Sequence, residues 1–144
     1  MPSRPRVLIV FNQPVLPTNH PDFASESDVL ESVDEVEKVL APDEFEVSRL
    51  GYARDPRVLL NELDRCRPDV VFNLFEGEAD RTATEVYHAG LLEWSRIPFT
   101  GSASAALAVG RDKVRTKYLL HGAGLRSAAF AVWDRPGSMA WPHG

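Results

Sequence analysis

Cysteine is almost missing from this chain: Cys66 is the single thiol in 144 residues. No intrachain disulfide can form, which fits a reducing compartment and leaves packing to hold the fold. Long apolar runs are also missing. The run Val7 to Phe11 is far shorter than the ~20 residues that cross a bilayer, and too short for a signal-peptide core. A cytoplasmic location without membrane contact is therefore expected. No pair of His or Cys has zinc spacing, so no metal site is predicted. Glycine is absent from Phe11-Asn12-Gln13-Pro14-Val15-Leu16-Pro17. A dinucleotide fingerprint needs glycines there for the backbone to approach a pyrophosphate, and no Walker A loop occurs elsewhere, so NAD or FAD is not expected. Positive charge is scarce, with 16 Lys and Arg against 21 Asp and Glu. Arg111, Lys113, Arg115 and Lys117 form its one cluster. That cluster suits a mononucleotide better than a polynucleotide, and no nucleic-acid partner is expected.

What is present is ordinary for one soluble domain: 44% hydrophobic and 26% charged residues. A chain of this length buries roughly two-thirds of its unfolded surface. Val7-Leu8-Ile9-Val10-Phe11 reads as a strand buried on both faces. Ser25-Glu26-Ser27-Asp28 reads as a capping box opening a helix over 25–40, with Val29, Val33, Val36 and Leu40 inward. Residues 45–50 alternate as a second strand, and Asp55-Pro56 starts a helix with Leu59, Leu60 and Leu63 buried. A third strand is expected at 69–74, and a helix at 84–94 with Val86, Leu91 and Trp94 inward. A very short fourth strand (98–100), helices near 103–109 and 111–121, and one further strand (128–133) follow. Gly122 and Gly124 are stop signals for the second of those helices. Strands alternating with helices predict an α/β fold: three α/β/α layers around a mainly parallel sheet of 4–5 strands. Ligands of such sheets sit outside the C-terminal strand ends, where strand order reverses. That places interest on Asn12 onward, Asn73 to Asp80, and Thr100-Gly101-Ser102.

Three segments carry candidate chemistry. Glu26 and Asp28 lie in the first turn of the first helix; the dipole alone favours carboxylates there, and one of them can instead hold an ammonium. Phe72-Asn73-Leu74-Phe75-Glu76-Gly77-Glu78-Ala79-Asp80 delivers three carboxylates into a turn around a glycine, a loop fit for a cation, an ammonium or plain solvent. Arg111-Asp112-Lys113-Val114-Arg115-Thr116-Lys117 puts basic groups at a helix start. They sit badly with the dipole, and an anionic phosphate would repair the mismatch. His88 and His121 need no functional role, and Cys66 has nothing to activate it.

These segments share one resemblance. Ile97-Pro98-Phe99-Thr100-Gly101-Ser102, then Asp112-Lys113-Val114-Arg115-Thr116-Lys117, then His121-Gly122-Ala123-Gly124-Leu125 resemble the end of the N-terminal domain of D-alanine–D-alanine ligases, where the chain enters the ATP-grasp region. The match is dense from about Asp69 to Trp133. The resemblance implies a pre-ATP-grasp, Rossmann-like domain over 1–124, with 125–144 opening the next domain and fraying at its end. It implies an ATP-dependent carboxylate–amine ligase of cell-wall peptidoglycan biosynthesis. ATP phosphorylates one carboxylate, and an amine attacks the acyl phosphate with help from Mg2+. ATP and Mg2+ belong to the full-length family, and none is expected on this chain, whose magnesium ligands would lie in the absent region.

Glu26-Ser27-Asp28-Val29-Leu30 looks like a degraded Glu-x-Glu-Val-Ser pattern, with Asp28 at the glutamate that holds the first amino acid. Gly77 matches a His-Gly pair, but Glu76 replaces the histidine, which suits an amino-group substrate other than D-alanine. By offset, Glu85 lies nearest the family's acidic pair. Asp28 (or Glu26), Glu76 and Glu85 would thus face a small amino acid, and Lys113 would touch ATP phosphates. No residue is assigned a catalytic role, and the chain alone is expected to be inactive. A homodimer follows by resemblance only. The competing expectation is a stand-alone, non-catalytic module of the same fold. A flavodoxin-like or receiver domain fails on the missing phosphate loop and on Asn73 ending strand three.

Overall fold

The computed structural model describes residues 4–40, 44–78 and 80–132. In chain order these form β1 (Arg6–Asn12), α1 (Phe23–Leu40), β2 (Glu46–Tyr52), α2 (Pro56–Cys66), β3 (Val70–Leu74), α3 (Thr84–Trp94), α4 (Ser104–Arg111) and α5 (Lys113–Gly122). The chain packs as two units, Met1–Leu107 and Ala108–Gly144.

In the first unit the sheet order is β2-β1-β3 and both pairings are parallel. β1 is the central strand, and its side chains alternate between two cores. Leu8 and Val10 pack with Leu59, Leu63, Val71 and Leu92, whereas Ile9 and Phe11 pack with Val33. α1 therefore covers one face, and α2 and α3 cover the other. The reason is topological. The chain leaves β1 in one direction for β2, then crosses back over β1 to β3. Right-handed crossovers running in opposite directions lay their helices on opposite faces. This is the three-layer α/β fold predicted from the sequence.

The sheet is shorter than the 4–5 strands expected. The segment at Pro98–Thr100 makes a single parallel bridge, Val71 to Phe99. Val71 N–H donates to Pro98 O at 2.8 Å and Thr100 N–H donates to Val71 O at 3.0 Å. Proline has no N–H for a longer ladder. Residues 128–132 form no strand, and Trp133, the end of the other expected strand, lies outside the described residues.

Two other expectations need correction. α1 begins at Phe23, two residues before the expected capping box. The Glu26 carboxylate does not cap the helix; it turns back to accept from Val15 and Leu16 N–H at 3.0 and 2.8 Å. α3 has the expected bounds, but Trp94 is 87% exposed, and His88, Ala89 and Leu92 are buried instead. Of the expected inward residues, Leu91 packs half-buried against the core and Val86 is half-buried, whereas Trp94 faces out; the buried histidine finds polar partners beneath the helix, described below. α2 starts as read, with Asp55 capping it by accepting from Arg57 N–H at 3.0 Å; Leu59 and Leu63 are buried as expected, and Leu60 is half-buried.

In the second unit, Asp112 caps α5 by accepting from Arg115 N–H at 2.9 Å. The helix ends in a Schellman motif, with Leu125 N–H on Leu120 O and Gly124 N–H on His121 O. Gly124 takes the left-handed conformation this ending requires, at φ 71°. Asp112→Ala is expected to cost about 1 kcal/mol, read by chemical denaturation followed by circular dichroism; an unchanged midpoint would show that the cap contributes nothing. Among the described residues, no helix is long and apolar enough to cross a membrane.

Candidate functional site

Order β2-β1-β3 makes the C-terminal ends of β1 and β3 the point where the crossovers part, which opens a crevice there. The crevice is a cleft of about 450 Å³. Its walls come from the end of β1 (Asn12), Asp22 just before α1, the first turns of α1 (Glu26, Asp28) and the turn after β3 (Glu76, Glu78). Asn12, 7% exposed, ties the two strand ends together by accepting from Glu76 N–H at 3.3 Å. Five of the lining side chains are carboxylates and none is Lys or Arg. The cleft is thus a place for positive charge.

The carboxylates differ in their freedom. Glu26 is committed to the two loop N–H groups of Val15 and Leu16. Asp28 and Glu76 are exposed and take no hydrogen bond or ion pair through their carboxylates among the described residues. Glu78 is the reverse, only 5% exposed. Its Oε1 accepts from Arg54 N–H at 2.5 Å, and its Oε2 has no hydrogen-bond partner among the described residues.

Beside the cleft, on the α2 and α3 face, lies a second hollow of about 120 Å³ that shares Glu78 as a wall. Its aromatic side is a stack in which the Phe75 ring lies 4.9 Å from Tyr52 and 4.5 Å from His88, centroid to centroid. His88 is 1% exposed and fully paired. Asn73 Oδ1 accepts from Phe75 N–H at 3.0 Å, so His88 Nε2, also 3.0 Å away, donates to that oxygen. His88 Nδ1 then accepts from the Tyr52 hydroxyl at 2.7 Å. Burial depresses the imidazole pKa from 6.5 to about 4, so the ring is neutral near pH 7. Burial, and secondarily the Glu78 charge, push the Tyr52 phenol well above its ordinary value.

No protein-family model matches the chain. Curated relatives do. A protein of Rhizobium meliloti named D-alanine–D-alanine ligase is 36% identical over 114 residues, 78% of this chain and 35% of that protein. One of Ruegeria pomeroyi with the same name is 42% identical over 91 residues, 63% of this chain and 28% of its own length. One of Psychrobacter sp., again so named, is 50% identical over 64 residues, 44% of this chain and 18% of its length. The chain is a homologue of the D-alanine–D-alanine ligases. It spans about a third or less of the length of these relatives.

For a D-alanine–D-alanine ligase homologue, the placement of the sequence candidates is informative. Glu26, Asp28 and Glu76 line the same cleft, the first two from α1 and the third from the turn after β3. Glu85 sits in the first turn of α3, does not line that cleft, and is engaged elsewhere. Lys113 opens α5 in the second unit, with its ammonium donating to Gly110 O at 3.3 Å. Lys117 donates to Ala128 O at 3.0 Å and lies 5.8 Å from the Phe130 ring centre. Among the described residues, no group of three or more His, Cys, Asp or Glu is placed to hold a metal ion. Sequence reading took Glu78 only as one acid of a loop. The signal that could have singled it out is Gly77, whose φ of 98° reverses the chain and separates an exposed Glu76 from a buried Glu78.

Proposed function

We propose that this chain supplies the amino-acid-binding part of an ATP-dependent ligase that joins a carboxylate to an amine. The observation that carries the reading is the cation-free cleft at the β1/β3 ends, where Asp28 and Glu76 stand unpaired beside the engaged Glu26. An ammonium about 4 Å from one carboxylate gains about 1 kcal/mol in bulk water and about 4 kcal/mol at the effective dielectric near a protein surface. Two such carboxylates fix the amino end of an amino acid and leave its carboxylate directed away from the acids. ATP would supply the phosphoryl group that activates that carboxylate, with Lys113 at its phosphates and magnesium held by the remaining region of a full-length protein. In this reading 1–124 is the binding domain and 125–144 begins the next. Cell-wall peptidoglycan synthesis, a cytoplasmic setting and a homodimer belong to the same proposal.

Two measurements test it. Incubated with ATP, Mg2+ and D-alanine, this chain is expected to release no phosphate; steady turnover would overturn the division of labour. Titration calorimetry against D-alanine and other small amino acids is expected to show binding that weakens about tenfold or more in Asp28→Asn/Glu76→Gln, as loss of about 1.4 kcal/mol dictates. Unchanged affinity in that double variant would remove the cleft from consideration. The stand-alone binding module remains a second reading, favoured by one observation: the whole cleft lies within Met1–Leu107. It predicts that the full affinity is present in this chain.

A further inference from the structure

Buried polarity in this fold is concentrated at one place. Among the described residues the buried polar or charged side chains are Asn12, Glu78 and His88, and all three bear on the turn that follows β3. Asn12, the last residue of β1, accepts from Glu76 N–H at 3.3 Å. Glu78 lies in the turn itself. His88 reaches the turn from α3 through Asn73, whose Oδ1 also accepts from Phe75 N–H at 3.0 Å. Behind His88 stands the hydroxyl of Tyr52, the last residue of β2 and the register partner of Asn12. The C-terminal ends of all three strands thus converge on one turn. The bonds run in one direction. Tyr52 O–H donates to His88 Nδ1, which leaves Nε2–H to donate to Asn73 Oδ1. That bond orients the Asn73 amide, and Thr100 Oγ1 accepts from Asn73 N–H at 2.9 Å. Phe75 N–H is the first amide past β3, so the Asn73 oxygen that holds it sets the direction in which the chain departs. The next residue is Glu76, whose carboxylate borders the cleft. An apolar support would hold the fold about as well, because exchanging both partners of a buried hydrogen bond for apolar groups of like shape is nearly neutral in stability. What a satisfied buried network adds is a single arrangement, and a binding carboxylate needs its position fixed closely.

On the amino-acid reading of the cleft given above, we infer that Tyr52, His88 and Asn73 are positioning residues for it: they form a polar brace that holds the turn after β3 in the one course that presents Glu76 to an ammonium. None of the three lines the cleft, so each acts through the turn.

The test separates position from stability. Tyr52→Phe/His88→Leu removes the brace and leaves two apolar side chains of similar bulk. At pH 7 its denaturant midpoint is expected to stay close to that of the unaltered chain. Hydrogen exchange at the Phe75 and Glu76 amides, followed by NMR, is expected to quicken, while exchange at Ile9 and Val10 in β1 does not. Calorimetric affinity for D-alanine is expected to fall about tenfold. Tyr52→Phe/His88→Gln returns a side-chain N–H to Asn73 and is expected to recover most of both losses. Leu63→Val, in the same core, lowers stability without touching the brace and is expected to leave the affinity unchanged. In the unaltered chain nitrogen NMR is expected to find the His88 ring as its Nε2–H tautomer. The Nδ1–H tautomer, parent-like exchange or parent-like affinity in Tyr52→Phe/His88→Leu, no recovery in the Gln variant, or an equal loss of affinity in Leu63→Val would each overturn the inference. Quickened exchange in a chain that binds no small amino acid would instead sink the function proposed above and leave the brace as the holder of Glu76.

Discussion

Acidification from pH 7 to pH 4 is expected to remove about 3 kcal/mol of folding stability through His88 alone. The unfolded imidazole takes up a proton near 6.5, but in the folded chain burial lowers that value to about 4. Above 6.5 both states are neutral at this ring, and the full stability is present. Below 6.5 the unfolded state binds the proton first, so stability declines as pH falls, and the decline ends once pH passes the folded value of about 4. The interval is worth about 1.4 kcal/mol for each pH unit. The hydrogen bonds agree in direction. His88 Nδ1 accepts from the Tyr52 hydroxyl and Nε2 donates to Asn73 Oδ1, so a second ring proton would face a donor. Denaturant unfolding at pH 7 and pH 4, for this chain and for His88→Gln, checks the claim. The difference between the two pH values should shrink by about 3 kcal/mol in the variant. An NMR titration placing the folded His88 near 6.5 would refute it.

His88 also shows where the sequence stops being legible. The fold class was readable because β1 is a continuous apolar run and α2 carries its own cap at Asp55. The helix at 84–94 had readable ends as well. Its orientation was readable only in part. Leu91 does pack against the core and Val86 is half-buried, but Trp94 faces out, and the burial of His88 depends on Tyr52 and Asn73, which lie 36 and 15 residues upstream of it. A buried polar network is a tertiary fact, and local periodicity carries no trace of it. The cleft was half legible for the same reason. Strand ends and acid-rich loops told where to look, and Glu26, Asp28 and Glu76 do face one hollow. Glu26 was misread as part of a cap because nothing local shows that the loop at Val15 and Leu16 folds back onto it.

Gly77→Ala is expected to cost about 2–4 kcal/mol, the sum of a left-handed conformation forced on a side chain and a steric clash. Gly77 sits at φ 98°, and a Cβ added there would stand 2.7 Å from Thr82 O. That neighbour is backbone, in the turn that leads into α3, so no side-chain rotation relieves the contact. Relief requires the turn itself to move, and the turn fixes both acids that flank the glycine. Glu76 N–H is held by Asn12 at one end of it, and Glu78 N–H donates to Thr84 Oγ1 at 2.9 Å at the other. Movement would expose Glu78 and tilt Glu76 out of the cleft, so loss of stability and loss of amino-acid binding should appear together. Gly110→Ala serves as the control. An added methyl meets nothing within 4 Å there, and the position lies inside α4, where alanine is favoured over glycine by roughly 0.5–1 kcal/mol. Opposite signs in the two variants, measured by urea denaturation, would show that the glycine after β3 is held by geometry and not by chance composition. Equal and small effects would mean that the turn is soft, and the separation of an exposed from a buried glutamate would then lose its structural basis.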